Sequence, residues 1–286
     1  MKKSDCIKNG KKILEEAGIP NADISARMLM ESVLGGEKLS EVSGMKLSRY
    51  DKLISMRAKH VPLDKLIGYT EFMNTKIMFS KNVMTPRQET EFLAERIIKD
   101  IRNKNHRASD YPVSVLDLCT GSGCLGISIA LSVSCNMTMS DISPRAIAVA
   151  KNNLKVNNAM LREKKLPPVS ANFIVSDLFR RIPYTYDIIV CNPPYIKSTD
   201  LKKLEIEVRD FDPILALDGG KDGLKFYKEI INQIDKHLSI GGTLYFEVGY
   251  DQAEQVAKYL EKKFDNIQIV KDLAGIDRFV IAKKRI

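Results

Sequence analysis

Ser114-Val-Leu-Asp-Leu-Cys-Thr-Gly-Ser-Gly-Cys-Leu-Gly126 is the stretch that decides the fold. Ser114 to Leu118 is a short apolar run of the kind that forms a buried strand, and the glycines after it make a turn. Leu125, Ile127, Ile129 and Ala130 then open a helix. Strand, glycine turn and helix are the first half of a βαβ unit, which implies a parallel sheet. Gly121, Gly123 and Gly126 fit G-x-G-x-x-G, and Asp141 follows about twenty residues after Gly121, at the end of a second strand. Such a loop lets a ligand approach backbone N–H groups while the carboxylate accepts from ribose hydroxyls. Any adenosine ligand would suit it, so a dinucleotide-dependent oxidoreductase or a non-catalytic adenosine-binding module stays open at this point.

Working downstream, Ser143-Pro144 caps and opens a helix. A third strand, Asn172–Val175, runs into Ser176-Asp177, which places Asp177 at a carboxyl strand end, where it could accept an adenine N6 hydrogen. The fourth strand lies in Tyr186-Asp-Ile-Ile-Val-Cys191 and delivers Asn192-Pro-Pro-Tyr195 to the sheet edge. Proline fixes its own φ and pushes the preceding residue toward extended geometry, so this corner is stiff before anything binds. Its carbonyl oxygens have no strand partner, and the Asn192 side chain adds another acceptor. Two acceptors and an aromatic plate, Tyr195, suit a planar NH2 group whose lone pair is delocalised. Gripping both hydrogens favours a pyramidal nitrogen and aims its lone pair at an electrophile. The plainer alternative is a proline turn closing a strand.

The segment Ile196–Asp222 has few periodic apolar positions and is expected to fold over the pocket. An amphipathic helix over Gly223–Leu238, a turn at Gly241-Gly242 and a strand over Thr243–Val248 come next. A helix from Asp251 to Lys263 and two antiparallel strands, Ile267–Val270 and Arg278–Ala282, complete the chain.

Upstream, residues 1–70 carry helical stripes and no catalytic constellation, and read as a small helical domain. Asn21 or Asp23 is a candidate cap for its second helix. A hairpin linker is expected over 71–84, and the sheet domain over 85–286. Thr85 and Pro86 read as N-cap and first residue of the next helix, with Arg87 and Glu91 able to face the site. A polar connector covers Asn103–Asp110.

Composition narrows the class. The chain of 286 residues can bury a core without staples. Five cysteines without a CxxC pair and three scattered histidines argue against a zinc site, so no metal is expected. They read as reduced thiols of a cytoplasmic protein. No apolar run approaches the roughly 18 residues that span a bilayer, and no secretory h-region follows the basic start. The net charge of +9 is spread along the chain and selects no partner by itself.

Together the motifs resemble the release-factor glutamine methyltransferases of the PrmC/HemK family. The matching residues are Pro86-Arg87 with Glu89-Thr-Glu91, Asp117 to Gly123, Asp141-Ile-Ser-Pro144, Ser176-Asp-Leu-Phe179, Asn192-Pro-Pro-Tyr-Ile196, Ala216-Leu217 with Gly219 to Leu224, and Gly275-Ile-Asp-Arg278. The resemblance implies an α/β fold of the class I methyltransferase, Rossmann-like type, with a seven-stranded mixed sheet behind a small all-α bundle and a hairpin. It implies S-adenosylmethionine as cofactor, S-adenosylhomocysteine as product, and transfer to the side-chain nitrogen of the glutamine in the Gly-Gly-Gln motif of peptide-chain release factors. A monomer without a nucleic-acid partner is expected.

The family's cofactor site carries over to Asp117, Cys119, Thr120, Gly121, Ser122, Gly123, Asp141, Ile142, Asp177, Leu178 and Asn192. Its substrate site carries over to Asn192, Pro193, Pro194 and Tyr195, with Arg87 beside them, and the catalytic set would be Asn192, Pro193 and Tyr195. Three positions depart from the family pattern: Cys119 where glycine is usual, Leu178 where a bulky aromatic is common, and Phe211-Asp212-Pro213 for Tyr-Glu-Pro. The alternatives are an adenine-N6 methyltransferase of DNA or RNA, and a glutamine methyltransferase acting on a ribosomal protein.

Overall fold

The computed structural model describes residues 1–105 and 112–285, and divides into two compact units. The first contains α1 (Lys3–Glu16), α2 (Ala22–Leu34), α3 (Gly44–Arg57) and the short α4 (Leu63–Ile67). Leu14, Ala26, Leu29 and Met30 are fully buried between them. Asn21 occupies the N-cap of α2 in a left-handed conformation without a side-chain cap bond, and Gly35 ends that helix at φ 60°. Gly10 permits a close helix crossing, because a Cβ there would lie 2.3 Å from the Tyr50 hydroxyl oxygen.

Leu204–Phe211 belongs to this helical unit. The segment expected to fold over the pocket is therefore divided, its middle packing with the helical unit and its remainder with the second. The reason is electrostatic: Arg57 is 4% exposed, and a buried guanidinium needs an anionic partner. Glu207, on the short helix Ile206–Arg209, supplies it at 2.8 Å. The Lys65 ammonium also donates to the Phe211 carbonyl.

The second unit spans residues 71–203 and 212–286. A hairpin of β1 (Tyr69–Phe72) and β2 (Thr75–Met78) leads to α5 (Gln88–Asn105). Then come β3 (Val113–Leu118), α6 (Cys124–Ser132), β4 (Cys135–Asp141), α7 (Pro144–Glu163), β5 (Ala171–Val175) and β6 (Tyr186–Cys191). The chain closes with α8 (Lys225–Gln233), β7 (Leu238–Glu247), α9 (Ala253–Leu260), β8 (Phe264–Lys271) and β9 (Asp277–Lys284).

The seven-stranded sheet has the order β5-β4-β3-β6-β7-β9-β8, with β9 antiparallel to both neighbours and the other pairs parallel. This is the mixed sheet expected of a class I methyltransferase. Alternate residues of the central strands feed two cores: Leu116, Leu118, Ile189 and Cys191 face one, and Val115, Ile188 and Val190 the other. Burial on both faces explains the unbroken apolar runs.

Side-chain amides hold the hairpin to α7. Asn157 exchanges hydrogen bonds with the backbone of Lys76, and Asn153 does so with Met78 while also donating to the Ser122 carbonyl.

Several boundaries differ from the sequence reading, among them the helix expected over Gly223–Leu238, which ends at Gln233 because Leu238 already belongs to β7. The helix α5 starts at Gln88, where the Arg87 carbonyl accepts from the Thr90 N–H at 3.2 Å, so Thr85, Pro86 and Arg87 stay in the preceding loop. Gly241-Gly242 lies inside β7 as an irregularity: Leu238 pairs with Tyr186 and Thr243 with Ile188, so the intervening residues bulge out and Gly241 takes φ 71°. The helix expected to fade at Asn103 continues to Asn105, and residues 106–110 of the connector lie outside the described residues.

Candidate active site

The strand order reverses between β3 and β6, and in open α/β sheets ligands bind at the carboxyl strand ends beside such a switch. A cleft opens there. Its wall gathers Asp117 of β3 with Cys119, Thr120, Gly121 and Ser122 after it, Asp141 at the end of β4 with Ile142, Asp177 and Leu178 after β5, and Asn192 and Pro194 after β6. Arg87 contributes from the loop before α5 and Thr90 from its first turn, while Pro213, Leu215 and Ala216 add an apolar rim. Gly123, Pro193, Tyr195 and Glu91 are not in the wall.

Asp117 builds the glycine loop from behind. It is 2% exposed, and its Oδ2 accepts from the Thr120 hydroxyl at 2.5 Å and the Gly126 N–H at 3.0 Å. Burial pushes its carboxyl up to about 7. Gly126 is required by that bond, because a Cβ there would lie 2.8 Å from the same oxygen. Gly123 caps α6 at φ 80°, and a Cβ on it would meet the Ala150 Cβ at 2.9 Å.

The departure at Cys119 has a conformational meaning, since the residue sits at φ 62° in the left-handed region. Glycine adopts that region freely and other L-residues pay for it. Cys119→Gly is expected to stabilise the fold by about 1 kcal/mol, read as a raised midpoint in chemical denaturation. Leu178, the other departure at the wall, is buried and also left-handed at φ 42°, and its carbonyl accepts from the Ser176 hydroxyl at 2.8 Å.

Asp141 Oδ2 accepts from the Gly121 N–H and its Oδ1 from the Ser143 N–H, both at 2.9 Å. These bonds aim the carboxylate and tie β4 to the glycine loop, while burial raises its pKa. Gly121 is left-handed at φ 55° with open space where a Cβ would stand, so the loop presents bare backbone. Asp177 is exposed. A glycine cradle, a positioned carboxylate and an apolar rim fit an adenosine-bearing cofactor.

The Asn192–Tyr195 corner is clamped from outside the cleft. Ile196 N–H donates to the Leu217 carbonyl at 2.9 Å, and Gly219 N–H to the Ile196 carbonyl at 2.8 Å. Gln252, 4% exposed, donates from Nε2 to the carbonyls of Tyr195 and Gly223 and accepts from the Gly249 N–H. Ideal Cβ atoms on Gly219 and Gly223 would lie 2.7 and 2.5 Å from Tyr195 backbone atoms. Pro193 and Pro194 are buried and Tyr195 packs partly against the core. Among the described residues no donor reaches the Pro193 carbonyl.

The sequence reading missed Glu247, Thr90 and Gln252. The Thr90 hydroxyl donates to Glu247 Oε2 at 2.7 Å, and Glu247 is 1% exposed. An acid at the end of an otherwise apolar strand was the available signal. Among the described residues, no group of three or more His, Cys, Asp or Glu is placed to hold a metal, and no helix is long and apolar enough to cross a membrane.

Comparison with known proteins extends over nearly the whole chain. Residues 70–209 match the family model described as methyltransferase small domain, and residues 5–68 the one described as PrmC N-terminal domain. The release factor glutamine methyltransferase of Clostridium botulinum is 34% identical, with 98% of each chain covered. That of Thermodesulfovibrio yellowstonii is 36% identical over 85% of this chain and 84% of its own. Among solved structures, the hMettl16 catalytic domain in complex with an RNA hairpin superposes with a TM-score of 0.55 at 14% identity, covering 88% of this chain and 85% of that one. A methyltransferase from Pyrococcus furiosus gives 0.52 at 13% identity, covering 84% and 100%. At such identities the likeness concerns the fold.

Proposed function

Because the chain belongs to the release factor glutamine methyltransferase family, we propose that it methylates the side-chain nitrogen of the glutamine in the Gly-Gly-Gln motif of peptide-chain release factors, in the cytoplasm. The chain is an S-adenosylmethionine-dependent methyltransferase. Bound in the cleft, S-adenosylmethionine supplies a methyl carbon made electrophilic by its sulfonium. The backbone of Gly121 and its neighbours would hold the cofactor's polar edge, Asp141 its ribose hydroxyls and Asp177 its adenine amine. The helical unit would recognise the release factor.

The observation that carries this reading is the Asn192 corner: a rigid loop at the carboxyl end of β6 sets a side-chain amide on the wall that also holds the glycine loop. The Asn192 side-chain oxygen and the Pro193 carbonyl accept the two hydrogens of the glutamine carboxamide, and Tyr195 packs on its plane. Held this way, the nitrogen loses conjugation with its carbonyl and its lone pair turns into the cleft. Orientation supplies most of the rate, and no base is required, because the methylated nitrogen can release its proton to water.

Mass spectrometry of a release factor incubated with the enzyme and S-adenosylmethionine tests the substrate. One added methyl group is expected on the peptide containing Gly-Gly-Gln. An unmodified release factor beside a methylated oligonucleotide or ribosomal protein would refute the assignment.

A further inference from the structure

Asn192 can accept from a substrate amide only if its oxygen, and not its NH2, faces the cleft. The two ends of a carboxamide have nearly the same shape, so sterics alone do not choose between them. The choice needs a partner that accepts but does not donate. Glu247 is such a group: Phe246 of β7 pairs with Cys191 of β6, so the next residues along, Glu247 and Asn192, are cross-strand neighbours, and the Glu247 carboxyl is buried. The Thr90 hydroxyl occupies Oε2 at 2.7 Å. The Glu247 main chain is fixed as well, since its carbonyl accepts from the Tyr227 hydroxyl at 2.9 Å and its residue pairs with Phe279 in the sheet.

Resting on the role of Asn192 proposed above, we propose that Glu247 is a positioning residue for methyl transfer: held by Thr90, its carboxylate accepts from the Asn192 NH2 and turns the Asn192 oxygen toward the transferring amide. Protonated, the same carboxyl becomes a donor and favours the reversed amide, in which an NH2 would confront the substrate NH2. The ionised form is therefore the productive one. Burial raises the Glu247 pKa to about 7, Thr90, Arg278 and Asn192 act against that rise, and Glu89 adds to it. The Cys124 thiol and the Tyr195 and Tyr227 hydroxyls also lie within electrostatic reach of this carboxylate.

The test is single-turnover methylation of a release factor at saturating S-adenosylmethionine across pH 6 to 8.5, with cofactor affinity measured in parallel. The wild-type rate is expected to fall on the acid side of about pH 7. Glu247→Gln is expected to be about tenfold slower with that acid limb lost and with unchanged cofactor affinity. Thr90→Val removes a bond that favours the charged form, so its limb moves to higher pH. A wild-type rate and limb in Glu247→Gln, or an unmoved limb in Thr90→Val, would overturn the proposal while an inert Asn192→Ala leaves the underlying mechanism standing. An active Asn192→Ala would overturn both. Folding does not confound the comparison: a raised carboxyl pKa means that the fold favours the neutral form, with stability lost as pH rises through about 7, so an uncharged glutamine costs no stability at pH 8.

Discussion

Asn192→Ala is expected to slow methyl transfer by about a thousandfold while leaving the affinity for S-adenosylmethionine little changed. In the proposed mechanism the side chain contributes one of two acceptors at the point where the carboxamide nitrogen must give up conjugation, an interaction worth more in the transition state than in the ground state. The other residues proposed to hold the cofactor lie elsewhere on the wall, at the glycine loop, Asp141 and Asp177. Single-turnover kinetics beside isothermal calorimetry separates the two effects. A mutant with a normal rate, or one whose loss is entirely in cofactor binding, would remove Asn192 from the chemistry.

Gly219→Ala should produce the second large effect, by steric means alone. An added Cβ would lie 2.7 Å from the Tyr195 Cα and 2.8 Å from the Pro194 oxygen. Both are backbone atoms of the reactive corner, so no flexible side chain can yield. Gly219 does not occupy the left-handed region, so the substitution carries no conformational penalty of its own. We expect a loss of about 2 kcal/mol in stability together with at least a tenfold loss of turnover, because the loop that must hold still is the one displaced. Gly35→Ala, at a left-handed glycine with open space around its Cβ and outside the cleft wall, is the comparison that exposes only conformational strain. Thermal melts and single-turnover rates of both variants measure the difference, and a fully active, equally stable Gly219→Ala would show that the corner is not held by this contact.

These residues also mark how far the sequence could be read. The strand, glycine loop and helix around Gly121 are local features, legible because periodicity and glycine placement act within a few residues. The same is true of the apolar run 188–190, whose stop at two prolines locates the Asn192 corner. What the sequence hid is long-range. Thr90 and Glu247 meet across 157 positions, and Gln252 reaches Tyr195 across 57. Thr90 and Gln252 carry no local pattern that marks them as other than surface residues, and the acid at the end of an apolar strand that singles out Glu247 does not name its partner. The fate of 204–211 was hidden for the same reason, since only the folded helical unit shows that Arg57 is buried and needs Glu207. At Gly241-Gly242 a turn and a bulge share the same composition, and strand pairing alone distinguishes them.

The two asparagines of α7 carry a consequence for cooperativity. A two-stranded ribbon is marginal by itself in water, and here a helix lends it the amide partners that a third strand would have offered. Because one carboxamide, that of Asn153, serves both Met78 and Ser122, the ribbon and the turn beneath the cofactor cleft cannot open independently. Loosening one frays the other, and what tightens the turn tightens the ribbon.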